Sequence, residues 1–213
     1  MKVRYNYVVI EGNIGAGKTT LATRISEEFN ARLILEHFAD NPFLPKFYNN
    51  PDKYSFQLEL SFLASRYKQL KEELAPQNLF NDFTVADYYF MKSLVFAAAT
   101  LKGDEYNLYR TIFYIIYGSL PKPDIFVYLH LSPEKLLSNI KKRGRDYEKS
   151  ITSDYLRKIQ DSYFKFFRQN PENKYLIIDI NEIDFVTNED HYRNLVDTIF
   201  VRDYSPGLNS IIL

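Results

Sequence analysis

The segment Gly12-Asn13-Ile14-Gly15-Ala16-Gly17-Lys18-Thr19 has the form G-x-x-x-x-G-K-[ST], and it constrains the chain more than any other stretch. Such a loop wraps a phosphate group because glycines let the backbone approach closely and successive N–H groups point inward as an anion nest. Lys18 can then reach the β- and γ-phosphates, and the hydroxyl of Thr19 can join the shell of a Mg²⁺ ion. The flanks supply the setting this chemistry needs. Residues 2–10 are rich in β-branched and aromatic side chains and predict a buried strand. After the loop, Leu21, Ala22, Ile25 and Phe29 fall at helical spacing. Strand, glycine loop and helix place the phosphates at a helix N-terminus, so residues from Gly12 to Thr20 are expected to hold a nucleoside triphosphate.

Composition narrows the remaining possibilities. The 213 residues fit one domain, 1–213, with a sizeable core. Lys+Arg and Asp+Glu are both 27, so the chain carries no bulk attraction for a nucleic acid polymer or an acidic membrane. With no cysteine, disulfides, zinc–thiolate sites and cysteine nucleophiles are excluded, in agreement with a cytoplasmic protein. The chain begins directly with the first strand and lacks a signal-peptide pattern. Its longest apolar run, Leu94 to Leu101, is far too short to cross a bilayer. His37, His130 and His191 lie too far apart to suggest a histidine metal cluster, and the abundant Tyr and Phe read as aromatic core packing.

Strand patterns at 3–10, 32–35, 83–88, 125–131 and 174–179 alternate with helical patterns at 18–29, 53–73, 88–102, 104–119, 133–142, 151–169 and 188–200. This alternation predicts an α/β fold: a P-loop three-layer α/β/α sandwich with a five-stranded parallel sheet. The tail from Arg202 to Leu213 shows no clear pattern.

Ligands of such sheets bind outside the carboxyl ends of the strands. There the second strand ends at Glu36 and the third at Asp87, on the same rim as Lys18 and Thr19. One carboxylate can hold Mg²⁺ and the other can take a proton from an attacking hydroxyl, the two tasks of phosphoryl transfer. Asp82 is the weaker choice for the strand-end acid because it precedes the apolar run. Lys141, Lys142, Arg143 and Arg145, broken by Gly144, suit an arginine-containing lid over about 141–150 that closes on the triphosphate and excludes water.

Taken with its neighbours, this pattern resembles the deoxynucleoside kinases, in particular the bacterial deoxyadenosine/deoxyguanosine kinase branch. The resemblance covers almost the whole chain. It is carried by Glu11-Gly12 with the loop, residues 35–38, Asn41 to Tyr48, Ser55 to Glu59 with Arg66, Ala86 to Phe90, Lys142 to Arg145, and Ile151 to Leu156. It implies ATP-dependent phosphorylation of a deoxynucleoside 5′-hydroxyl, purine before deoxycytidine, with Mg²⁺ and as a homodimer. Position by position, it implies Glu36 as the base that activates the hydroxyl. Thr19 and Asp87 would hold the metal. Tyr48 and Glu148 would bind the sugar 3′-hydroxyl. Glu59 and Arg66, two turns apart on one helix face, would read the base. Lys18, Arg143 and Arg145 would act on the phosphates, and Asp184-Phe185 would meet the donor adenine. The dimer contact would use the helix around 94–101 and the one after it.

Four positions depart from that family's pattern. Tyr88 follows Asp87 where an arginine is common, and a phenol cannot stabilise phosphoryl charge as a guanidinium does. His37 replaces a proline, Glu59 a glutamine, and Ser93 an aspartate. A carboxylate at 59 accepts hydrogen bonds only, so it favours bases that present N–H donors. Two other functions share the loop: a nucleoside monophosphate kinase of the thymidylate kinase type, and a catalytically silent assembly subunit. The first needs an arginine soon after the second strand, where Glu36 and His37 stand. The second does not need Lys18, Thr19, Glu36 and Asp87 together.

Overall fold

The computed structural model describes residues 3–37, 41–75 and 80–213; Phe38, the last residue of the 35–38 segment, lies outside them. Strands β1 (Tyr7–Gly12), β2 (Arg32–Ile34), β3 (Thr84–Ala86), β4 (Ile125–His130), β5 (Lys174–Asp179) and β6 (Gly207–Ile212) form one sheet. Their order is β2-β3-β1-β4-β5-β6, and every pairing is parallel. Helices α1 (Lys18–Glu28), α2 (Leu44–Asn49), α3 (Pro51–Leu74), α4 (Met91–Thr100) and α5 (Gly103–Tyr117) precede β4. Helices α6 (Pro133–Arg143), α7 (Ser153–Gln169) and α8 (Glu189–Phe200) follow it.

Every residue of β1 is buried, as a central parallel strand covered on both faces must be. Its side chains alternate between two cores. Val8 and Ile10 pack with Leu21 and Ile25 of α1 and Leu195 and Ile199 of α8. Tyr7 and Val9 face the other side, with Phe113 of α5 and Tyr163 and Phe167 of α7. That second core is aromatic: Tyr128 lies against Tyr163 at 5.0 Å between ring centres, and Phe167 against Tyr175 at 4.3 Å. The Tyr and Phe content therefore goes into packing.

The sheet has six strands, not the five expected. The tail supplies the sixth, pairing Gly207 to Ile212 with Lys174 to Asp179. Its pattern hides it, because Leu208 and Ile212 point to solvent while Asn209 sits on the inner side and only Ile211 and Leu213 touch the core. The first strand starts at Tyr7 rather than at residue 3. The Asp124 carboxylate takes the N–H groups of Asn6 and Tyr7 (2.6 and 3.0 Å), so a side chain replaces the ladder there. The helix expected over 88–102 begins at Met91, since Tyr89 turns its N–H to Glu11 at 2.9 Å. In the run 94–101, Leu94, Val95, Ala97 and Leu101 are buried in their own core while Ala98 is exposed, and α5 exposes Leu108, Tyr114 and Ile115. No helix among the described residues is long and apolar enough to cross a membrane.

Candidate active site

The phosphate loop leaves β1 at Gly12 and enters α1 at Lys18. Gly17 lies in the left-handed region (φ 85°), and a Cβ on it would stand 2.8 Å from the Phe185 ring. Two side-chain amides pin the loop to its surroundings: the loop's own Asn13 donates to the Leu156 carbonyl (2.7 Å), and Asn139 of α6 donates to the Gly15 carbonyl (2.9 Å). Lys18 folds back over the loop, donating to the Asn13 carbonyl at 2.8 Å. Burial pushes its pKa down to about 8, and the charge of Lys92 adds to that against the pull of Glu11, Asp87 and Glu36. Thr19 donates its hydroxyl to Asp87 Oδ2, while Asp87 Oδ1 accepts the Glu36 backbone N–H at 2.8 Å. The acid after β3 thus ties the loop helix to the end of β2.

Glu36 stands at the other wall of the same cleft. Its Oε1 accepts both Nε and Nη2 of Arg66, at 2.8 and 2.7 Å, and its Oε2 accepts Lys92 Nζ at 2.5 Å. Burial pushes the carboxyl pKa up, but the two cations outweigh it and hold the group at about 2. Glu36 is therefore an anion at any physiological pH. One lone pair of Oε2 remains for a further donor.

Two helices line the space between. On α4, Lys92, Phe96 and Thr100 recur every four residues along one face. On α3, Glu59, Phe62 and Arg66, spaced three and four residues apart, line the side opposite them. Eight residues at 1.5 Å per residue make this trough about 12 Å long, the scale of a nucleoside. Its ends differ. Arg66 and Lys92 meet Glu36 at the phosphoryl end, and Arg66 Nη1 also reaches Ser93 Oγ at 3.0 Å. Arg66 is thus engaged with Glu36, two turns from Glu59. At the far end Glu59 is 2 % exposed. Its Oε1 lies 3.0 Å from the Thr100 hydroxyl, and its Oε2 has no hydrogen-bond partner. Burial raises the Glu59 pKa to about 7, against the opposing charge of Arg66.

The segment after α6 closes the trough. After α6 the chain turns at Gly144 and forms a short 3₁₀ turn, Asp146–Glu148. Glu148 is buried and accepts from Arg143 (Nε at 3.1 Å, Nη2 at 2.5 Å), with Arg145 Nη1 at 3.5 Å. Tyr48 faces the same cleft with its ring stacked on Tyr147 at 6.0 Å; burial, reinforced by Glu148, pushes its pKa up. A second hollow behind the loop is bounded by Ala16, Gly17, Lys142, Asp184 and Phe185. Phe185 packs over Gly17, whereas the Asp184 carboxylate is spent on its own turn, accepting from Thr187 Oγ1 at 2.6 Å and Val186 N at 3.0 Å. Thr20 follows on the exposed side of α1.

The structure thus brings Lys18, Thr19, Glu36, Tyr48, Glu59, Arg66, Asp87, Arg143, Arg145 and Glu148 around one cleft. Among the described residues no cluster of three His, Cys, Asp or Glu side chains forms a metal cage. The Thr19 hydroxyl and Asp87 carboxylate are hard oxygen donors that fit Mg²⁺ shared with phosphate oxygens.

A family model for deoxynucleoside kinases matches residues 8–202. The chain belongs to the deoxynucleoside kinase family. Over 193 residues it is 39% identical to the deoxyguanosine kinase of Bacillus subtilis, covering 89% of this chain and 93% of that one. It is 33% identical to a deoxyadenosine kinase of Dictyostelium discoideum, covering 86% of this chain and 75% of that one. Among solved structures, a deoxyadenosine kinase from M. mycoides described with products dCMP and dCDP superposes with a TM-score of 0.78. It is 25% identical and covers 91% of this chain and 98% of that one.

In this kinase the residues that sequence reasoning missed are Lys92, Phe62, Phe96 and Thr100. Lys92 stands in the run Phe90-Met91-Lys92-Ser93-Leu94-Val95-Phe96, where it reads as a stray polar residue. The available signal was its spacing: a lysine, an aromatic and a threonine at intervals of four on a helix that begins at the active-site rim. Tyr88, by contrast, is buried in the aromatic core with its hydroxyl unpartnered.

Proposed function

We propose that this kinase transfers the γ-phosphoryl group of ATP to the 5′-hydroxyl of a purine deoxynucleoside, with deoxyguanosine preferred over deoxyadenosine and deoxycytidine behind both. The observation that carries this reading is the ionised Glu36, its side chain only 8% exposed, at the phosphoryl end of the trough. The remaining lone pair of Oε2 accepts a neutral hydroxyl, a donor that an already phosphorylated 5′-oxygen no longer has. A carboxylate held near 2 is a poor base for a free alcohol. Proton uptake by Glu36 therefore follows most of the bond making, which the loose transition state of phosphoryl transfer allows.

The base preference rests on Glu59. Guanine presents N1–H and the 2-amino group side by side, and a carboxylate with an unpartnered Oε2 accepts both. Adenine offers one donor beside an acceptor and matches less well. The relatives named as deoxyguanosine kinases point the same way. Tyr48 and Glu148 would bind the sugar 3′-hydroxyl, and Phe62 and Phe96 would flank the sugar and base. Lys18, Arg143 and Arg145 would neutralise the triphosphate, and Phe185 would meet its adenine. Thr19 and Asp87 would hold Mg²⁺, which when bound spreads the charge of the β- and γ-phosphates. The proposal includes a single domain with a lid at 141–150, a cytoplasmic role in nucleotide salvage, and a homodimer. The exposed Leu108 and Ile115 of α5 support a dimer contact on that helix, and sedimentation at twice the chain mass would bear it out.

A panel of deoxynucleosides and deoxynucleoside monophosphates with Mg-ATP tests the reaction. Turnover of deoxyguanosine to its 5′-monophosphate is expected. Phosphorylation of monophosphates alone, or of no acceptor, would refute the reading.

A further inference from the structure

Lys92 is 8 % exposed, and a lysine is rarely buried without a strong reason. Pairing with Glu36 is an insufficient one. Arg66 already supplies two N–H groups to that carboxylate, enough to neutralise it. A second full charge overcompensates Glu36 and also sits close enough to Lys18 to disfavour its protonation. Glu11, Asp87 and Glu36 offset part of that repulsion, and an anion entering the cleft would offset more. Glu11 lies beneath, but its oxygens are taken by Tyr89 N–H at 2.9 Å and Tyr163 Oη at 2.8 Å. Among the described residues, Lys92 donates one hydrogen bond, to Glu36 Oε2, and otherwise faces the cleft near the Phe96 ring. An ammonium has three N–H groups, so two remain for a ligand.

Geometry fixes where that ligand is. The lone pair left on Oε2 is the place for the attacking hydroxyl, and Lys92 occupies the same oxygen. Two donors on one oxygen lie side by side, so the 5′-oxygen and the Lys92 ammonium are neighbours. Lys18 faces them from the loop. Resting on the kinase reading above, we propose that Lys92 is a second catalytic cation: it binds the transferred phosphoryl group at the acceptor side while Lys18 holds it at the donor side. In the step, the 5′-oxygen forms a bond to Pγ as the bond from Pγ to the β,γ-bridging oxygen breaks. That electron pair leaves with ADP. The hydroxyl proton passes to Glu36 Oε2, and Lys92 keeps its own protons throughout. The charge that Tyr88 cannot stabilise from the core is thus met from four residues further along the chain.

The test uses Lys92→Met, which keeps the length of the side chain and removes its charge, with Lys92→Gln as a second neutral variant should Met fold poorly. Neutral variants should lose about 10²- to 10³-fold in kcat, the usual cost of removing one oxyanion donor. Their equilibrium dissociation constants for deoxyguanosine should stay within about threefold, and Lys92→Arg should regain at least about tenfold in kcat. A mere positioning role is separated by a double-mutant cycle with Glu36→Gln. If Lys92 touches the phosphoryl group, adding Lys92→Met to Glu36→Gln lowers kcat by at least about a further tenfold; no further loss would overturn the proposal. A wild-type enzyme silent on every deoxynucleoside refutes the kinase reading and this proposal together. An active wild type whose neutral variants keep kcat within about threefold refutes this proposal alone.

Discussion

Replacing Glu36 by Gln removes the one anion that holds two buried cations, and the structure gives the size of the effect. The carboxyl falls from 4.5 to about 2 in the fold. At about 1.4 kcal/mol per pH unit this corresponds to about 3 kcal/mol of stability. Because the folded pKa is the lower one, that stability is fully present above about 4.5 and is lost as pH falls through about 2. The cost of removing one partner from a buried ion pair gives the same scale, about 3–5 kcal/mol. For a chain of this size the melting temperature should therefore drop by about 6–12 °C at pH 7. Denaturant melts of wild type and Glu36→Gln between pH 3 and pH 9 check this. The difference should be flat above pH 6 and shrink toward pH 3 as the unfolded wild-type chain takes up a proton at Glu36 while the folded one does not. Measured well below its melting point, the variant should also lose at least about 10² in kcat. A stability difference under about 1 kcal/mol at pH 7, or near-normal kcat, would refute the arrangement described for Glu36, Arg66 and Lys92.

Other consequences follow from single contacts. Glu59 titrates near 7, so it is neutral below and ionised above. The protonated form can pair with N1 and the amino group of adenine, and the ionised form with the two donors of guanine. The kcat/KM ratio of deoxyguanosine to deoxyadenosine should rise between pH 6 and 8.5 and flatten in Glu59→Gln; a flat wild-type ratio would contradict this. Gly17→Ala places a Cβ 2.8 Å from the Phe185 ring at a left-handed φ, so ATP affinity measured by calorimetry should fall at least about tenfold. Glu148→Ala removes the buried partner of Arg143 and Arg145 and should raise KM for the nucleoside at least about tenfold.

What the sequence made legible was whatever is local. The loop at 12–19, the strand-end positions of Glu36 and Asp87, and most helices follow from period, glycine placement and run length. What escaped it depends on partners far away in the chain. β6 is recognisable only through its ladder with β5, since two of its three apolar residues, Leu208 and Ile212, face out. Lys92 gains meaning only when α4 meets Glu36, 56 residues earlier. Arg66 shares a helix face with Glu59, which pairs them by spacing, yet a long side chain carries its guanidinium to the opposite end of the trough. Spacing fixes the face on which a side chain starts; reach and charge decide where it ends.

The direction in which the nucleoside lies in this trough is the most direct test. A crystal structure with deoxyguanosine and a non-hydrolysable ATP analogue should put the 5′-oxygen within hydrogen-bond reach of Glu36 Oε2 and the guanine edge on Glu59 near Thr100. A nucleoside bound the other way round, with its base against Glu36 and Arg66, or an acceptor phosphate seated beside Glu36, would contradict the account.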